Sequence, residues 1–308
     1  MLRTDICIVG GGAIGSIMAL YAYRGGLDNI VVLYRSRSSV ENVNSAGGLT
    51  VTYRGRDFFI PIHAMISHEA YVKCDYLINS VKAIDVPDTI GVMSRLTEPG
   101  TPILMVQNGF GSLELVESYL KDREVSCGVV FIGATRISAC RVIHNGGETV
   151  FAGVRHTYPR GLFDLAFYML RGGCDFRIVS DIDLYRWIKL ALNAVVNPIT
   201  AIVRGKNRVV LSKWGLELAR IIIDEVVQAA SKHGYTLDPD KLFKMVVRNV
   251  EAVAENYSSM YQDVINGRRT EIDFINGYVA RELGFRGVNH ILTLLVKLIE
   301  ETYVDRFG

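Results

Sequence analysis

Ile6-Cys7-Ile8-Val9-Gly10-Gly11-Gly12-Ala13-Ile14-Gly15 runs from a β-branched tetrapeptide through a glycine cluster into an apolar stretch that opens a helix. The glycines at 10, 12 and 15 form a GxGxxG pattern in the strand–turn–helix context that gives the pattern meaning. Gly10 allows a tight turn, Gly12 lets the backbone approach a pyrophosphate, and Gly15 allows close helix packing. The helix start then offers free N–H groups and a positive dipole end to phosphates. Gly10, Gly11, Gly12, Ala13, Ile14 and Gly15 are therefore expected to hold a dinucleotide, against the blander alternative of a glycine-rich structural turn.

Outward from this loop, short β-branched runs alternate with helical stretches. Strands are expected at 6–9, 30–34, 76–81 and 102–106, with a helix from about Ala13, which is the βαβ pattern of a parallel sheet. Further strands are expected at 125–131 and 150–153, separated by a turn at His144-Asn145-Gly146-Gly147. Beyond residue 179 the character changes to long amphipathic stretches at 185–202, 214–233, 239–256, 271–283 and 290–303. The reading is an α/β domain over 1–179 and an all-α domain over 180–308, joined by a short junction near Ser180. A single barrel is excluded by the helical second half.

Hydrophobic residues make up 49% of the 308 and charged residues 21%, the balance of an ordinary globular protein. A net charge of +2, from 34 basic and 32 acidic residues without basic blocks, argues against nucleic acid or a membrane surface as partner. A small molecule is the expected ligand, and a homodimer is left open. Cys7, Cys74, Cys127, Cys140 and Cys174 show neither CxxC spacing nor a nearby histidine, so no disulfide framework or metal site is expected. Arg3 before the apolar run at 6–23 imitates a secretory leader, but Asp5 and four glycines interrupt it, so a cytoplasmic protein is expected.

Cofactor choice is read at the end of the second strand, where an acidic residue would accept a ribose 2′-hydroxyl. The chain has Tyr34-Arg35-Ser36-Arg37-Ser38 there, with no carboxylate until Glu41. Arg35 can face a 2′-phosphate with a fork of donors and Ser36 can add a hydroxyl, which favours NADP(H) over NAD(H). The alternative is a pair of solvated loop arginines.

Lys189, Asn193 and Asn197 recur at i, i+4 and i+8 within Trp187-Ile188-Lys189-Leu190-Ala191-Leu192-Asn193-Ala194-Val195-Val196-Asn197-Pro198. They share one helix face amid apolar neighbours, and no acidic partner lies one turn away. Distant side chains or a polar ligand must satisfy them, unless the lysine simply snorkels to water beside two capping asparagines. Pro198 is expected to kink or end this helix. Thr270 with Asp273 reads as a capping box, which puts Glu271 in the first turn of a helix. Glu271 then either complements the helix dipole or serves a site.

The ordered set of the glycine loop, Val81-Lys82-Ala83, Gln107-Asn108-Gly109, the Lys189/Asn193/Asn197 helix and Ser258-Ser259-Met260 followed by Thr270-Glu271-Ile272-Asp273 closely resembles ketopantoate reductases over nearly the whole chain. The resemblance implies a Rossmann-type N-terminal domain, a helical C-terminal domain like that of 6-phosphogluconate dehydrogenase, and an active site in the cleft between them. It implies NADPH-dependent reduction of 2-dehydropantoate to (R)-pantoate, within pantothenate and coenzyme A biosynthesis. By the same resemblance Lys189 is the proton donor, Asn193, Asn197 and Ser259 bind substrate, and Asn207 and Asn256 lie on the substrate side. Asn108 stands beside nicotinamide and substrate, Lys82 and Ala134 line the cofactor groove, and Glu271 serves the substrate hydroxyl or the cofactor end. The family usually has a proline-containing turn before its last helix, where this chain has Gly284-Phe285-Arg286-Gly287-Val288-Asn289. Two alternatives stand beside this reading: a dehydrogenase of the same architecture acting on another 2-keto or 3-hydroxy acid, and a non-catalytic NADPH sensor. Lys189 with Glu271 argues against the sensor, which has no use for a proton donor.

Overall fold

A computed structural model describes residues 2–155 and 160–307. The chain forms two compact units, one of Met1–Gln107 with Ser112–Ile182 and one of Asn108–Gly111 with Asp183–Gly308.

The first unit runs β1 (Leu2–Val9), α1 (Ala13–Gly25), β2 (Ile30–Tyr34), α2 (Arg37–Ser45), β3 (Gly48–Tyr53), β4 (Arg56–Pro61), β5 (His63–Ile66) and β6 (Val72–Asn79). After a 3-10 turn at Ala83–Asp85 come α3 (Val86–Leu96), β7 (Pro102–Met105), α4 (Ser112–Tyr119), β8 (Glu124–Arg136), β9 (Arg141–Gly153), α5 (Arg160–Arg171) and β10 (Asp175–Ile178). The strands make one mixed sheet in the order β4-β3-β9-β8-β7-β6-β1-β2-β5, with β10 pairing β9. β1 lies parallel to both β2 and β6, with Ile6 beside Ile30 on one side and Tyr76 on the other. All five residues of β2 are buried, as expected of a continuous apolar strand inside a parallel sheet. Ile17, Leu20 and Tyr21 of α1 pack on Ile6, Ile8, Ile30 and Val32 in one core. The chain passes from β1 to β2 on one side and later returns to β6 on the other. That switch point is where open α/β sheets bind ligands at their strand ends.

The second unit contains α6 (Ile182–Val203), a 3-10 turn at Asn207–Leu211, α7 (Lys213–Ser231), α8 (Pro239–Ala252) and α9 (Ser259–Ile265). A 3-10 turn at Ile272–Phe274, α10 (Asn276–Glu282) and α11 (Val288–Phe307) complete it. Trp187, Leu190, Ala191, Ala194 and Val195 of α6 are buried with Ile222, Ile223 and Val226 of α7 and Val246 and Val250 of α8. No helix among the described residues is long and apolar enough to cross a membrane.

Four sequence expectations are corrected. His144-Asn145-Gly146-Gly147 is not a turn between strands but part of β9. Gly146 and Gly147 have φ of +127° and +73°, so glycine carries the strand through a register irregularity opposite 131–134 of β8. The helix expected at 239–256 stops at Ala252. The stretch 271–283 is not one helix: Thr270 Oγ1 accepts the N–H of Ile272 at 3.2 Å, and the Asp273 carboxylate pairs with Lys297 at 2.7 Å. The capping box is therefore absent, and Glu271 precedes a 3-10 turn instead of sitting in a helical first turn. Of the two outcomes expected at Pro198, the helix end does not occur: α6 continues through it to Val203. A proline cannot donate to the carbonyl four residues back, that of Ala194, and the buried Asn276 side chain fills the gap by donating Nδ2–H to that oxygen at 2.9 Å.

Candidate active site

In the first unit the glycine loop has the local form its spacing predicts. Gly10 adopts φ +105°, and a Cβ there would lie 2.8 Å from the Val81 nitrogen. A Cβ on Gly15 would lie 2.1 Å from the Gly10 carbonyl oxygen, so glycine at 15 is a packing requirement. A Cβ on Gly12 would meet nothing within 4 Å, which leaves open space beside the backbone at the start of α1. Gly11, outside the spaced pattern, is demanded by the Tyr34 ring, whose nearest carbon lies 2.0 Å from a Cβ built there. Gly12 caps α1 without any side-chain hydrogen bond, so the helix presents first-turn N–H groups to the space beside it. These residues fit a dinucleotide pyrophosphate. The close approach of Gly10 to Val81 also brings the start of the Lys82 turn beside the loop. Ala134, in the irregular part of β8, pairs with His144 of β9.

At the end of β2, Ser36 caps α2 by accepting the Ser39 N–H at 3.3 Å. Arg35 is highly exposed, and its Nη1 lies 3.3 Å from Asp85 Oδ1. The sequence reading found no carboxylate near Arg35 because Asp85 arrives from the turn after β6, fifty positions away. Only the fold brings the two together.

The second unit assembles a polar chain. Asn108 belongs to this unit although it lies far from the rest in sequence. Gly109 with φ +82° leaves no room for a Cβ against the Phe274 carbonyl, and Phe110 donates its N–H to that same oxygen at 3.0 Å. Asn108 is thereby fixed beside Glu271: its Nδ2 donates to Glu271 Oε2 at 3.0 Å, and its Oδ1 accepts from Asn193 Nδ2 at 3.2 Å. Glu271 and Asn193 are both buried. The carboxylate orients the first amide and the first orients the second, which leaves the Asn193 carbonyl oxygen and a second N–H for a ligand. Lys189 lies one helical turn before Asn193, and Asn197, also buried, one turn after. Burial lowers the Lys189 ammonium from 10.5 to about 8, within reach of physiological pH.

The remaining expected residues fall less uniformly. Ser259 opens α9 and is exposed, while its buried neighbour Ser258 caps that helix and shares a 2.6 Å hydrogen bond with Thr200, one turn past Asn197. Asn207 is buried, but its Nδ2 is spent on the Val253 carbonyl at 3.0 Å. Asn256 is exposed and touches Asn207 through its backbone, accepting the Asn207 N–H at 2.9 Å. The sequence reading missed Thr200, Ser258 and Asn276 as supports of this helix face. Pro198 held the one signal for Asn276, since a mid-helix proline requires some other donor for the carbonyl of Ala194.

A sheet unit with a glycine loop at its switch point, followed by a helical unit in which a half-buried lysine and two buried asparagines share one helix face, defines a two-domain oxidoreductase that uses a nicotinamide cofactor. The profile described as "Ketopantoate reductase PanE/ApbA" matches residues 6–156, and "Ketopantoate reductase PanE/ApbA C terminal" matches residues 181–290. The chain belongs to the ketopantoate reductase family. It is 31% identical to a 2-dehydropantoate 2-reductase of Archaeoglobus fulgidus over 307 residues, covering 95% of this chain and 97% of that one. A probable 2-dehydropantoate 2-reductase from Bacillus subtilis has a TM-score of 0.78 at 27% identity, covering 97% of this chain and 100% of the other. A D-mandelate dehydrogenase solved with NADH and anilino(oxo)acetate shares the fold, with a TM-score of 0.91 at 22% identity and coverage of 97% and 99%.

Proposed function

We propose that the protein reduces 2-dehydropantoate to (R)-pantoate with NADPH. The observation that carries the reading is the Glu271–Asn108–Asn193 hydrogen-bonded chain, one helical turn from Lys189, whose ammonium burial lowers to about 8. A nicotinamide held by this chain would supply the hydride. Lys189 donates the proton that the ketone oxygen needs as it becomes a hydroxyl, and its charge stabilises that oxygen as negative charge develops. Asn193 and Asn197 supply neutral donors and acceptors for the substrate carboxylate and hydroxyl, with Ser259, Asn207 and Asn256 on the substrate side. Asn108 presents its amide to nicotinamide and substrate, held in orientation by Glu271. The loop from Gly10 to Gly15 holds the pyrophosphate, Lys82 and Ala134 line the cofactor groove, and Arg35 faces the 2′-phosphate.

The test is steady-state kinetics with NADPH and NADH against 2-dehydropantoate and a panel of other 2-keto acids, aromatic ones included. The expected result is a kcat/KM for 2-dehydropantoate about tenfold or more above any other acid, with NADPH preferred. A higher value with another acid would favour the second reading, a dehydrogenase of the same architecture acting on a different 2-keto or 3-hydroxy acid. The fold shared with a D-mandelate dehydrogenase is the observation on that side.

A further inference from the structure

Three arginines surround the turn after β2, and their charges are not equally balanced. Arg35 is paired with Asp85 at 3.3 Å, and Arg37 with Glu69 at 2.6 Å. The third, Arg136, ends β8, and its Nη2 reaches Ser39 Oγ, in the first turn of α2, at 3.4 Å. Its Nε donates to the Ser138 carbonyl at 3.0 Å. Both partners are neutral, and Arg136 meets no carboxylate among the described residues. The uncompensated positive charge at this turn therefore belongs to Arg136.

A second feature points to the same place. Tyr34, the last residue of β2, is only 4% exposed, and its hydroxyl is buried with no hydrogen-bond partner among the described residues. The ring lies against Gly11 of the glycine loop. Burial pushes the phenol up to about 12, with the nearby Arg136 charge opposing that rise. An O–H donor without an acceptor and a guanidinium without an anion thus adjoin one turn, at the start of a helix whose dipole also favours negative charge.

We propose that Arg136 is the charge-setting arm of a 2′-phosphate site, binding the adenosine 2′-phosphate of NADPH together with Ser39 and the α2 start. The inference rests on the reading that the turn after β2 holds the adenosine end of a dinucleotide. It shifts cofactor choice away from Arg35 alone, because a phosphate must compete with Asp85 for Arg35 but with no acid for Arg136. Arg136 offers the phosphate a planar fork, and Ser39 Oγ can turn its proton towards it.

The test is fluorescence titration of the full chain with NADPH and NADH, with adenosine 2′,5′-bisphosphate and 5′-AMP as competing probes. Arg136→Ala should weaken NADPH and the bisphosphate by about tenfold or more, as loss of a charge-assisted bond predicts, while NADH and 5′-AMP stay within about twofold. Arg136→Lys should fall between parent and alanine, since it keeps the charge and loses the fork. Arg37→Ala, with its charge already balanced by Glu69, should stay close to parent. Unchanged NADH binding shows that Arg136→Ala is folded. A parent that prefers NADPH, with the preference intact in Arg136→Ala, overturns the inference alone, and so does an equal loss for NADH and NADPH. A parent that binds NADH as tightly as NADPH overturns the NADPH reading and this inference with it.

Discussion

At the scale of single residues, Lys189 carries the sharpest expectation. An amine that donates a proton to a nascent alkoxide must be protonated at the start, and burial brings its pKa down to about 8. The rate of ketone reduction should therefore fall as pH rises through about 8, while the reverse oxidation, which needs the neutral amine, should rise over the same range. Stability moves the other way. Between about 8 and the ordinary 10.5, the unfolded chain holds more protons on this lysine than the folded one. Its contribution to stability therefore increases with pH in that window. A loss of reductase activity above pH 8 with Tm maintained is the expected pairing, measured by initial rates and thermal melts on the same samples. Lys189→Ala should lower kcat by at least about 10²-fold with cofactor affinity near parent. Lys189→Gln, which keeps a donor but has no transferable proton, should be nearly as slow. A folded Lys189→Ala enzyme that keeps more than roughly a tenth of parental kcat would remove Lys189 from the acid role.

At the scale of elements, α6 shows how one local defect is repaired by a distant chain segment. Asn276 donates to the Ala194 carbonyl that Pro198 cannot serve, and also to Asn289 Oδ1 at 2.8 Å. Asn276→Ala leaves two buried acceptors without donors and should cost about 2–4 kcal/mol. In a Pro198→Ala background the restored N–H serves Ala194, so the same asparagine substitution should cost less. A double-mutant cycle read by thermal or denaturant unfolding checks this, and additive losses would show that the two are not coupled. The last helix is organised similarly. In place of a proline turn, α11 begins under the Glu225 carboxylate, which accepts the N–H groups of Val288 and Asn289 at 2.6 and 2.8 Å. Gly287 has φ +86°, and a Cβ there would lie 2.1 Å from Glu225 Oε1. Gly287→Ala should lower Tm, and by more than Glu225→Gln, which keeps an acceptor there. Elements with a strong single period, such as β2 and α6 to α8, were legible in the sequence. The strands β3 to β5 and the helices α2 to α5 were not, because they are short and partly polar and take their form from neighbours in the sheet. The stretch 144–147 misled because glycines that mark a turn in most contexts here carry positive φ inside a long strand.

At the scale of the whole molecule, the chain folds as two compact units. GxGxxG and the lysine–asparagine repeat were readable in advance because they are local patterns. Three features were not: the Asp85 partner of Arg35, the Ser258–Thr200 link, and the placement of Asn108 in the helical unit. Each joins positions far apart in sequence, which no local period records. If the sheet unit holds the cofactor and the helical unit the substrate, damage to each should separate cleanly. Gly12→Ala places a methyl group in open space, so the fold should tolerate it, yet that space is the approach path proposed for the pyrophosphate. NADPH affinity should fall by about tenfold or more, as loss of a charge-assisted contact implies, with Tm near parent. Gly15→Ala drives a methyl group into the Gly10 carbonyl and should lower Tm as well as affinity. Asn193→Ala and Ser259→Ala should do the converse of Gly12→Ala, raising KM for the keto acid while NADPH titration alone stays within a factor of a few. Calorimetric titration with NADPH, thermal melts and steady-state kinetics on the four variants check the pattern. A Gly12→Ala protein with parental NADPH affinity, or an Asn193→Ala protein impaired equally in NADPH binding and keto-acid KM, would break the assignment of cofactor and substrate to separate units.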